Sequence, residues 1–160
     1  MTHASSAAGS GPGASTVSRT EAPDGANVQE FFDRFAAALA STDSTIDAAT
    51  NATLAGMWHR PALIVADPMI RAVETEDEVT SFFSFTRKLW ATRGIADTRP
   101  EILHLQWLTD RIAVVEVRWP YLDDRGNEIG AETSTYTLRR SDNGALELCV
   151  AVNHGSSAAH

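Results

Sequence analysis

Four strand-like segments follow one another in the second half of the chain, and this run limits the possible folds more than any other feature. The segments are EILHLQWL, RIAVVEVRWPYL, IGAETSTYTLRR and ALELCVAVN, and the links between them are short. Links this short join antiparallel neighbours, because parallel strands need a long crossover. Asn143-Gly144 in the last link favours a type I′ hairpin turn, in which both central residues have positive φ. The sequence therefore predicts an antiparallel meander.

Helical periodicity dominates the part of the chain that precedes these strands. A first helix is predicted from Asn27, a second from about Ser44 to near Trp58, and a third from a capping box at Thr75 to Gly94. Between the second and third helices, the apolar run ALIVAD predicts a buried strand, and MIRAV predicts its short partner. Because helices come first and strands follow, the order favours an α+β fold. Three N-terminal helices would then pack in the concave face of a strongly curved, mostly antiparallel sheet.

The two ends of the chain differ in composition from the predicted domain at residues 26–154. Residues 1–25 consist mostly of Ala, Gly, Ser and Pro, with Val17 as the single large aliphatic residue. Such a segment buries too little apolar surface to offset its chain entropy, so we expect a disordered tail. Residues 155–160 are expected to form a second, shorter tail.

Charge and composition exclude several classes of function. The net charge of −8 disfavours nucleic acid and anionic membrane as partners. The single cysteine, Cys149, cannot form a disulfide within the chain. We find no apolar run of the ~18 residues that a membrane span needs and no secretory signal pattern, so a cytoplasmic location is expected. No two histidines have ligand spacing on one element, and neither a metal nor another cofactor is expected.

The order of these segments resembles the nuclear transport factor 2-like superfamily, which includes ketosteroid isomerase and the small polyketide cyclases. The resemblance is carried by VQEFFDRFAAAL, MWHRPALIVADPMI, ETEDEVTSFFSFTRKL and WPYLDDRGNEIGAETSTYTLRRSDNGALEL. It implies a cone-shaped domain of cystatin-like topology, with a pocket for a hydrophobic small molecule, and a homodimer. Members of the superfamily include isomerases, dehydratases, cyclases and non-catalytic pocket proteins, so the fold does not specify the function.

Asp67 is the first candidate catalytic residue. The segment Val65-Ala66-Asp67-Pro68 is similar to the strand–Asp–Pro segment in which ketosteroid isomerase carries its catalytic base. A carboxylate at the end of an apolar strand is partly desolvated, which raises its pKa and makes it a better base. The alternative is that Asp67 starts a turn ahead of Pro68.

The isomerase also needs hydrogen-bond donors for a developing oxyanion. By the same resemblance, its first-helix tyrosine falls near Phe35, which cannot donate, and its second acid falls near Tyr136, which can. His104, on a predicted strand, is either a pocket acid–base group or an exposed histidine. Asp67, Tyr136 and His104 are thus the candidate catalytic residues.

The alternation of two long strands predicts the ligand-binding residues. Trp119 and Tyr121 share a face of one strand, and Glu132, Ser134 and Tyr136 share a face of the next. The opposite face of the second strand is a threonine row, typical of an exposed or interface surface. The predicted pocket residues are therefore Trp119, Tyr121, Glu132 and Ser134, and Trp58 near the end of the second helix is predicted to join them.

Two functions remain open from the sequence. The first is an enzyme that abstracts a proton, dehydrates or cyclises next to a carbonyl of a hydrophobic substrate. The second is a non-catalytic ligand-binding or dimerisation module of the same fold. The two are distinguished by whether Asp67 and Tyr136 point into one cavity.

Overall fold

The structure is a computed structural model that describes residues 17–40 and 48–158. These residues form the helices α1 (Val17–Ala40), α2 (Ala48–Gly56) and α3 (Glu76–Thr92). The strands are β1 (Trp58–Ala66), β2 (Met69–Val73), β3 (Asp97–Thr98), β4 (Glu101–Trp107), β5 (Ile112–Leu122), β6 (Glu128–Arg140) and β7 (Leu146–Ala158). The fold is α+β, with helices and strands in the predicted order apart from the short β3. No helix within this part of the chain is long and apolar enough to cross a bilayer.

All seven strands belong to one mixed sheet in the order β2-β1-β7-β6-β5-β3, with β4 also paired to β5. Every pairing is antiparallel except that of β1 with β7, which is parallel. The predicted meander is therefore present, since β4, β5, β6 and β7 pair in succession. β7, the last strand in chain order, occupies an inner position between β1 and β6.

The N-terminus of α3 shows why the chain turns from strand to helix at this point. The Thr75 side chain accepts a hydrogen bond from the backbone N–H of Glu78 at 3.2 Å. The Glu78 carboxylate accepts one from the backbone N–H of Glu74 at 2.8 Å. Both side chains satisfy donors that the helix cannot pair internally, as in a capping box. Gly94, with a φ of +71°, follows the end of the helix.

The core lies between the helices and one face of the sheet, and the predicted strand faces are confirmed. Along residues 112–119 of β5 and 133–138 of β6 the inward side chains are buried, whereas their neighbours on the other face are partly exposed. The helices contribute a block of aromatic and aliphatic side chains to the same core. The fully buried residues of this core, from helices and strands together, include Phe31, Phe32, Val79, Phe83, Val115, Val117 and Leu138.

Two hairpin loops have the same backbone geometry, and the type I′ prediction for the last link is wrong. Gly144 donates its N–H to the Ser141 carbonyl at 2.9 Å, and Ser141 donates to Ala145 at 2.8 Å. Only glycines have positive φ in the described residues, so Asn143 does not adopt the conformation that type I′ requires. The loop is a type I turn followed by a left-handed glycine, Gly144 at φ +86°. The loop at residues 123–127 repeats this arrangement with Gly126.

The ends of the ordered elements differ from those predicted. Helix α1 begins at Val17, ten residues before the expected start at Asn27. Residues 1–16 and the predicted cap of the second helix, Ser44, lie outside the described residues. Strand β7 continues to Ala158, which pairs with Gly130, so residues 155–158 belong to the sheet and not to a tail. Composition missed these extensions, because Pro23 and Gly25 disfavour a helix and the Gly, Ser and Ala residues at 155–158 carry no periodic signal.

Pro120 lies in mid-strand, where a proline lacks the donor for a ladder hydrogen bond. The position is tolerated because β5 loses its outer neighbour there. β4 pairs with β5 as far as Arg118, and β3 pairs with β5 from Tyr121 onward. Pro120 therefore lies opposite the gap between β4 and β3. A bulge follows in β5 between Tyr121 and Leu122.

Candidate functional site

A cavity of about 310 Å³ lies between α1, α3 and the inner face of the sheet. This volume is at the lower end of the range for small-molecule sites. Aromatic side chains from five elements, α1, α3, β1, β5 and β6, form much of the wall. The lining residues are Phe35, Leu39, Trp58, Ile64, Phe82, Thr86, Leu89, Trp90, Arg93, Trp119, Tyr121, Glu132, Ser134, Tyr136, Leu148, Ala151, Asn153 and Ser156.

Phe35 of α1 is the centre of the aromatic wall. Its ring centroid lies 6.3 Å from that of Trp58 and 5.7 Å from that of Trp119, so it separates the two indoles. Phe82 of α3 contacts Trp58 at a centroid distance of 5.3 Å. Side chains of this kind provide a large apolar surface for the body of a ligand.

A polar pair on β5 and β6 interrupts the apolar wall. The Tyr121 hydroxyl donates a hydrogen bond to Oε2 of Glu132 at 2.5 Å. The Arg93 guanidinium lies 5.3 Å from the centroid of the Tyr121 ring, in a cation–π arrangement. Burial and then the charge of Glu132 raise the pKa of Tyr121 above its ordinary value, while Arg93 opposes the rise. Tyr121 is therefore a neutral donor at physiological pH.

Tyr136 lies deeper in the same wall, where it packs against Phe32 and Trp119. Burial, together with the charge of Glu132, raises its pKa as well. The Trp119 indole is close enough to the Tyr136 hydroxyl to oppose this rise, although the two groups do not meet in hydrogen-bond geometry. The site thus presents two protonated phenols near one carboxylate.

Two indole N–H groups in the wall have no hydrogen-bond partner. Nε1 of Trp58 and Nε1 of Trp119 are both buried and unpaired. Their residues are 3% and 2% exposed, so water does not reach them easily. Buried donors are almost always paired in folded proteins, so two unpaired indole donors in one cavity wall are unusual.

A β-bulge in β7 brings two further polar residues into the cavity. Between Ser134 and Glu132 of β6, the partner on β7 moves from Asn153 to Ser156, so β7 carries one extra residue. Gly155 within the bulge has a φ of +101° and donates its N–H to Oδ1 of Asn153 at 2.7 Å. Bulges redirect side chains in this way, and Asn153 and Ser156 consequently line the same cavity. Regular alternation places residues three apart on opposite faces, so sequence reasoning missed this pair.

Six of the eight predicted site residues line this cavity: Trp58, Trp119, Tyr121, Glu132, Ser134 and Tyr136. The structure does not bring Asp67 and His104 to it. Asp67 is exposed in a separate shallow depression with Pro68 and Met69, which shares only Asn153 with the main cavity. His104 is exposed on β4, opposite Glu116 of β5. The expected meeting of Asp67 and Tyr136 in one cavity therefore does not occur.

Three further observations concern Arg93, His154 and metal binding. Arg93, which follows α3, lines the cavity but was not predicted as a site residue. An arginine directly before the glycine that ends a helix cannot be distinguished in the sequence from an ordinary charged surface residue. His154 faces away from the cavity, where its Nε2 lies 2.7 Å from the Thr135 hydroxyl. Within residues 17–40 and 48–158, no three His, Cys, Asp or Glu side chains are grouped closely enough to hold a metal ion.

Solved structures with the same fold come from several bacteria. A domain of unknown function with a cystatin-like fold from Nostoc punctiforme is 13% identical, with a TM-score of 0.58 over 84% of this chain and 78% of that one. A ketosteroid isomerase-like protein from Erwinia carotovora atroseptica is 14% identical, with a TM-score of 0.55 over 89% and 98% of the two chains. An NTF-2 like protein of unknown function from Pseudomonas aeruginosa is 16% identical, with a TM-score of 0.55 over 86% and 98%. At these identities the similarity shows the fold alone.

Sequence comparison identifies the family, whereas the structural similarity shows only the fold. A search of the curated proteins found no match. The model of one family, described as NTF2-like protein (DUF6841), matches residues 23–156, which is most of the chain. The chain therefore belongs to this NTF2-like family.

Proposed function

We propose that the protein binds a hydrophobic small molecule with a polar group in the cavity between α1, α3 and the sheet. The observation that carries the proposal is the composition of this wall: stacked aromatic rings beside a hydrogen-bonded tyrosine–carboxylate pair and unpaired indole donors. A mainly apolar pocket with a few convergent polar groups is the usual form of a small-molecule site. The ketosteroid isomerase-like neighbour is consistent with such a ligand.

The test is a thermal shift with acetylnaphthalene, a rigid aromatic ketone small enough for the cavity. A ligand at 100 times its Kd stabilises the folded state by about 2.7 kcal/mol, which such an assay detects. Ala151→Leu adds bulk inside the cavity wall and should abolish the shift. Ala37→Leu makes the same change at an exposed site on α1 and should preserve it. No shift with the unaltered protein, or an equal shift in both variants, would contradict the proposal.

A second candidate function is proton abstraction next to a carbonyl, which one observation favours. Glu132 lines the cavity, and its Oε2 is held by the Tyr121 hydroxyl, which leaves Oε1 for a ligand proton. In this version Glu132 replaces Asp67 as the base, and Tyr136 donates to the carbonyl oxygen. The enzyme would be an isomerase, dehydratase or cyclase of a hydrophobic carbonyl compound.

This candidate is tested without knowledge of the natural substrate. A base next to a bound ketone exchanges the methyl protons of acetylnaphthalene for deuterium in heavy water, and NMR measures the rate. We expect exchange above the buffer rate with the unaltered protein and none with Glu132→Gln. Exchange that never exceeds the buffer rate would leave the non-catalytic module as the function, and exchange that persists in Glu132→Gln would show that Glu132 is not the base.

We further propose that the protein forms a homodimer through the outer face of the sheet. Leu63, Val150, Thr137 and Val114 lie side by side across β1, β7, β6 and β5. All four are partly or fully exposed in the single chain. A continuous face of β-branched and aliphatic side chains is a suitable docking surface for a second copy.

A further inference from the structure

The strongest unexplained feature of the cavity is the unpaired indole N–H of Trp119. Trp119 lies in the second half of β5 and is 2% exposed, yet its Nε1 has no hydrogen-bond partner, because the nearby Tyr136 hydroxyl lies outside hydrogen-bond geometry. An indole nitrogen is a donor only, so nothing but an acceptor atom can satisfy it. Leaving such a donor unpaired in an apolar wall is unfavourable, which indicates that the bound state supplies the partner.

The surroundings of Trp119 limit what this acceptor can be. Trp119 is the direct cross-strand neighbour of Glu132, and its ring packs against Phe35 and Tyr136. The carboxylate of Glu132 would repel an anionic ligand group at this point, and the poorly hydrated wall strengthens that repulsion. Arg93 lines the cavity too, but it is exposed, so water screens its charge. An uncharged oxygen acceptor therefore fits better than a carboxylate.

We propose that Trp119 is a specificity-determining residue whose Nε1–H binds an uncharged carbonyl oxygen of the ligand. This inference rests on the proposed ligand-binding function of the cavity. It implies that the cavity takes hydrophobic ketones, esters or amides in preference to hydrocarbons or carboxylic acids of the same shape. Trp58, across Phe35, offers a second unpaired N–H to a ligand with an oxygen at its other end.

The experiment compares three matched probes: acetylnaphthalene, ethylnaphthalene and naphthoate, each measured by equilibrium dialysis. The quantity of interest is the ratio of the Kd of ethylnaphthalene to that of acetylnaphthalene. Trp119→Phe keeps an aromatic ring and removes the N–H, so this ratio should fall about five-fold, as expected for one hydrogen bond. Naphthoate should bind more weakly than acetylnaphthalene to the unaltered protein.

The chain supplies a matched control in Trp107. Its Nε1 is also buried and unpaired, but Trp107 lies on β4 and does not line the cavity. Trp107→Phe should therefore leave the ratio unchanged. A ratio in Trp119→Phe within two-fold of the unaltered protein would overturn the inference while the cavity function stands. Failure of all three probes to bind the unaltered protein would overturn the proposed function and this inference with it.

NMR provides a measurement that does not depend on the folding of a variant. The chain has four tryptophans, hence four indole N–H signals, and nuclear Overhauser contacts with the rings of Phe35 and Tyr136 assign the signal of Trp119. Addition of acetylnaphthalene to the unaltered protein should shift the Trp119 signal downfield, and ethylnaphthalene should not produce this shift. Equal displacement by both compounds would show that the ketone oxygen does not reach Nε1.

Discussion

At the scale of single residues, the two tyrosines of the chain carry much of the chemistry of the site. The sequence contains only Tyr121 and Tyr136, and both line the cavity. Each is held protonated by burial and by the nearby charge of Glu132. Every phenol in the protein is thus part of the candidate site, so a simple optical titration reports on that site alone.

We predict that the folded protein shows no tyrosinate absorbance near pH 10, where a free tyrosine is half ionised. Both phenols should ionise only at higher pH, together with unfolding. Absorbance followed alongside circular dichroism checks this. A tyrosine that titrates near pH 10 while the far-UV signal stays intact would mean that its side chain is in contact with solvent.

The raised pKa values also fix the direction of the dependence of stability on pH. Between the unfolded value of about 10 and the higher folded values, the folded state keeps protons that the unfolded state has lost. The stabilisation is therefore fully present below about pH 10 and is lost as the pH rises towards the folded values. Urea unfolding at about pH 9 and about pH 11 should show this fall, and Tyr136→Phe should make it smaller. An equal fall in the variant would assign the effect to other groups.

Asp67→Asn should have little effect on ligand binding, because Asp67 is exposed in a depression outside the main cavity. We expect the Kd of acetylnaphthalene to change less than two-fold, as for a surface substitution far from the ligand. Dialysis with the unaltered protein in parallel provides the comparison. A ten-fold weakening would show that the two depressions join when ligand is bound.

The residues of the site were predictable to the extent that strand alternation determines them. Alternate residues of a strand share a face, so the pocket residues follow once the inward face of each strand is chosen correctly. These residues are Trp119 and Tyr121 on one strand and Glu132, Ser134 and Tyr136 on the next. Asp67 was chosen by its resemblance to a strand–Asp–Pro segment, and a local match cannot say whether the strand end faces the cavity. Asn153 and Ser156 depend on a bulge, which no periodicity shows.

At the scale of elements, helix α3 shows how one amphipathic face holds the domain together. Phe83 is fully buried against the rings of Phe35 and Trp58, whereas Phe85, two residues further on, is 68% exposed. Residues two apart on a helix point in different directions, so the same side chain occurs in two opposite environments on one element.

We predict that Phe83→Ala lowers the free energy of unfolding by about 3–5 kcal/mol, because it removes a large buried ring and leaves a cavity. Phe85→Ala should change it by less than about 0.5 kcal/mol, because it deletes a ring already in water. Denaturant unfolding of the two variants checks both values. Similar losses in the two would mean that the buried face of α3 is assigned incorrectly.

The elements themselves were more predictable than their ends. The capping box at Thr75 and Glu78 and the glycines of the hairpin loops are local signals, and α3 and the long strands were found from them. The start of α1 at Val17 precedes Pro23 and Gly25, which disfavour a helix, and the extension of β7 to Ala158 lies in Gly-, Ser- and Ala-rich sequence without local signals. β3 has two residues and pairs with β5, far along the chain, so it depends on tertiary structure.

At the scale of the whole molecule, the proposed dimer has a direct test. Light scattering at micromolar concentration should give about twice 17.2 kDa. Thr137→Arg places a charge in the middle of the outer face and should yield a monomer, because an unpaired charge in an interface is unfavourable. Thr92→Arg makes the same change at an exposed site on α3 and should remain dimeric. A monomer before any substitution would refute the dimer.

The inner position of β7 has a consequence for how the protein is made. β1 leaves the ribosome about ninety residues before β7, yet the two are hydrogen-bonded side by side in the finished sheet. Until residues 146–158 emerge, β1 and β6 each present an unsatisfied edge, and the cavity lacks one of its walls. Nascent chains that stop short of β7 should therefore be sensitive to proteases and to aggregation, and folding should be completed only after translation of that strand.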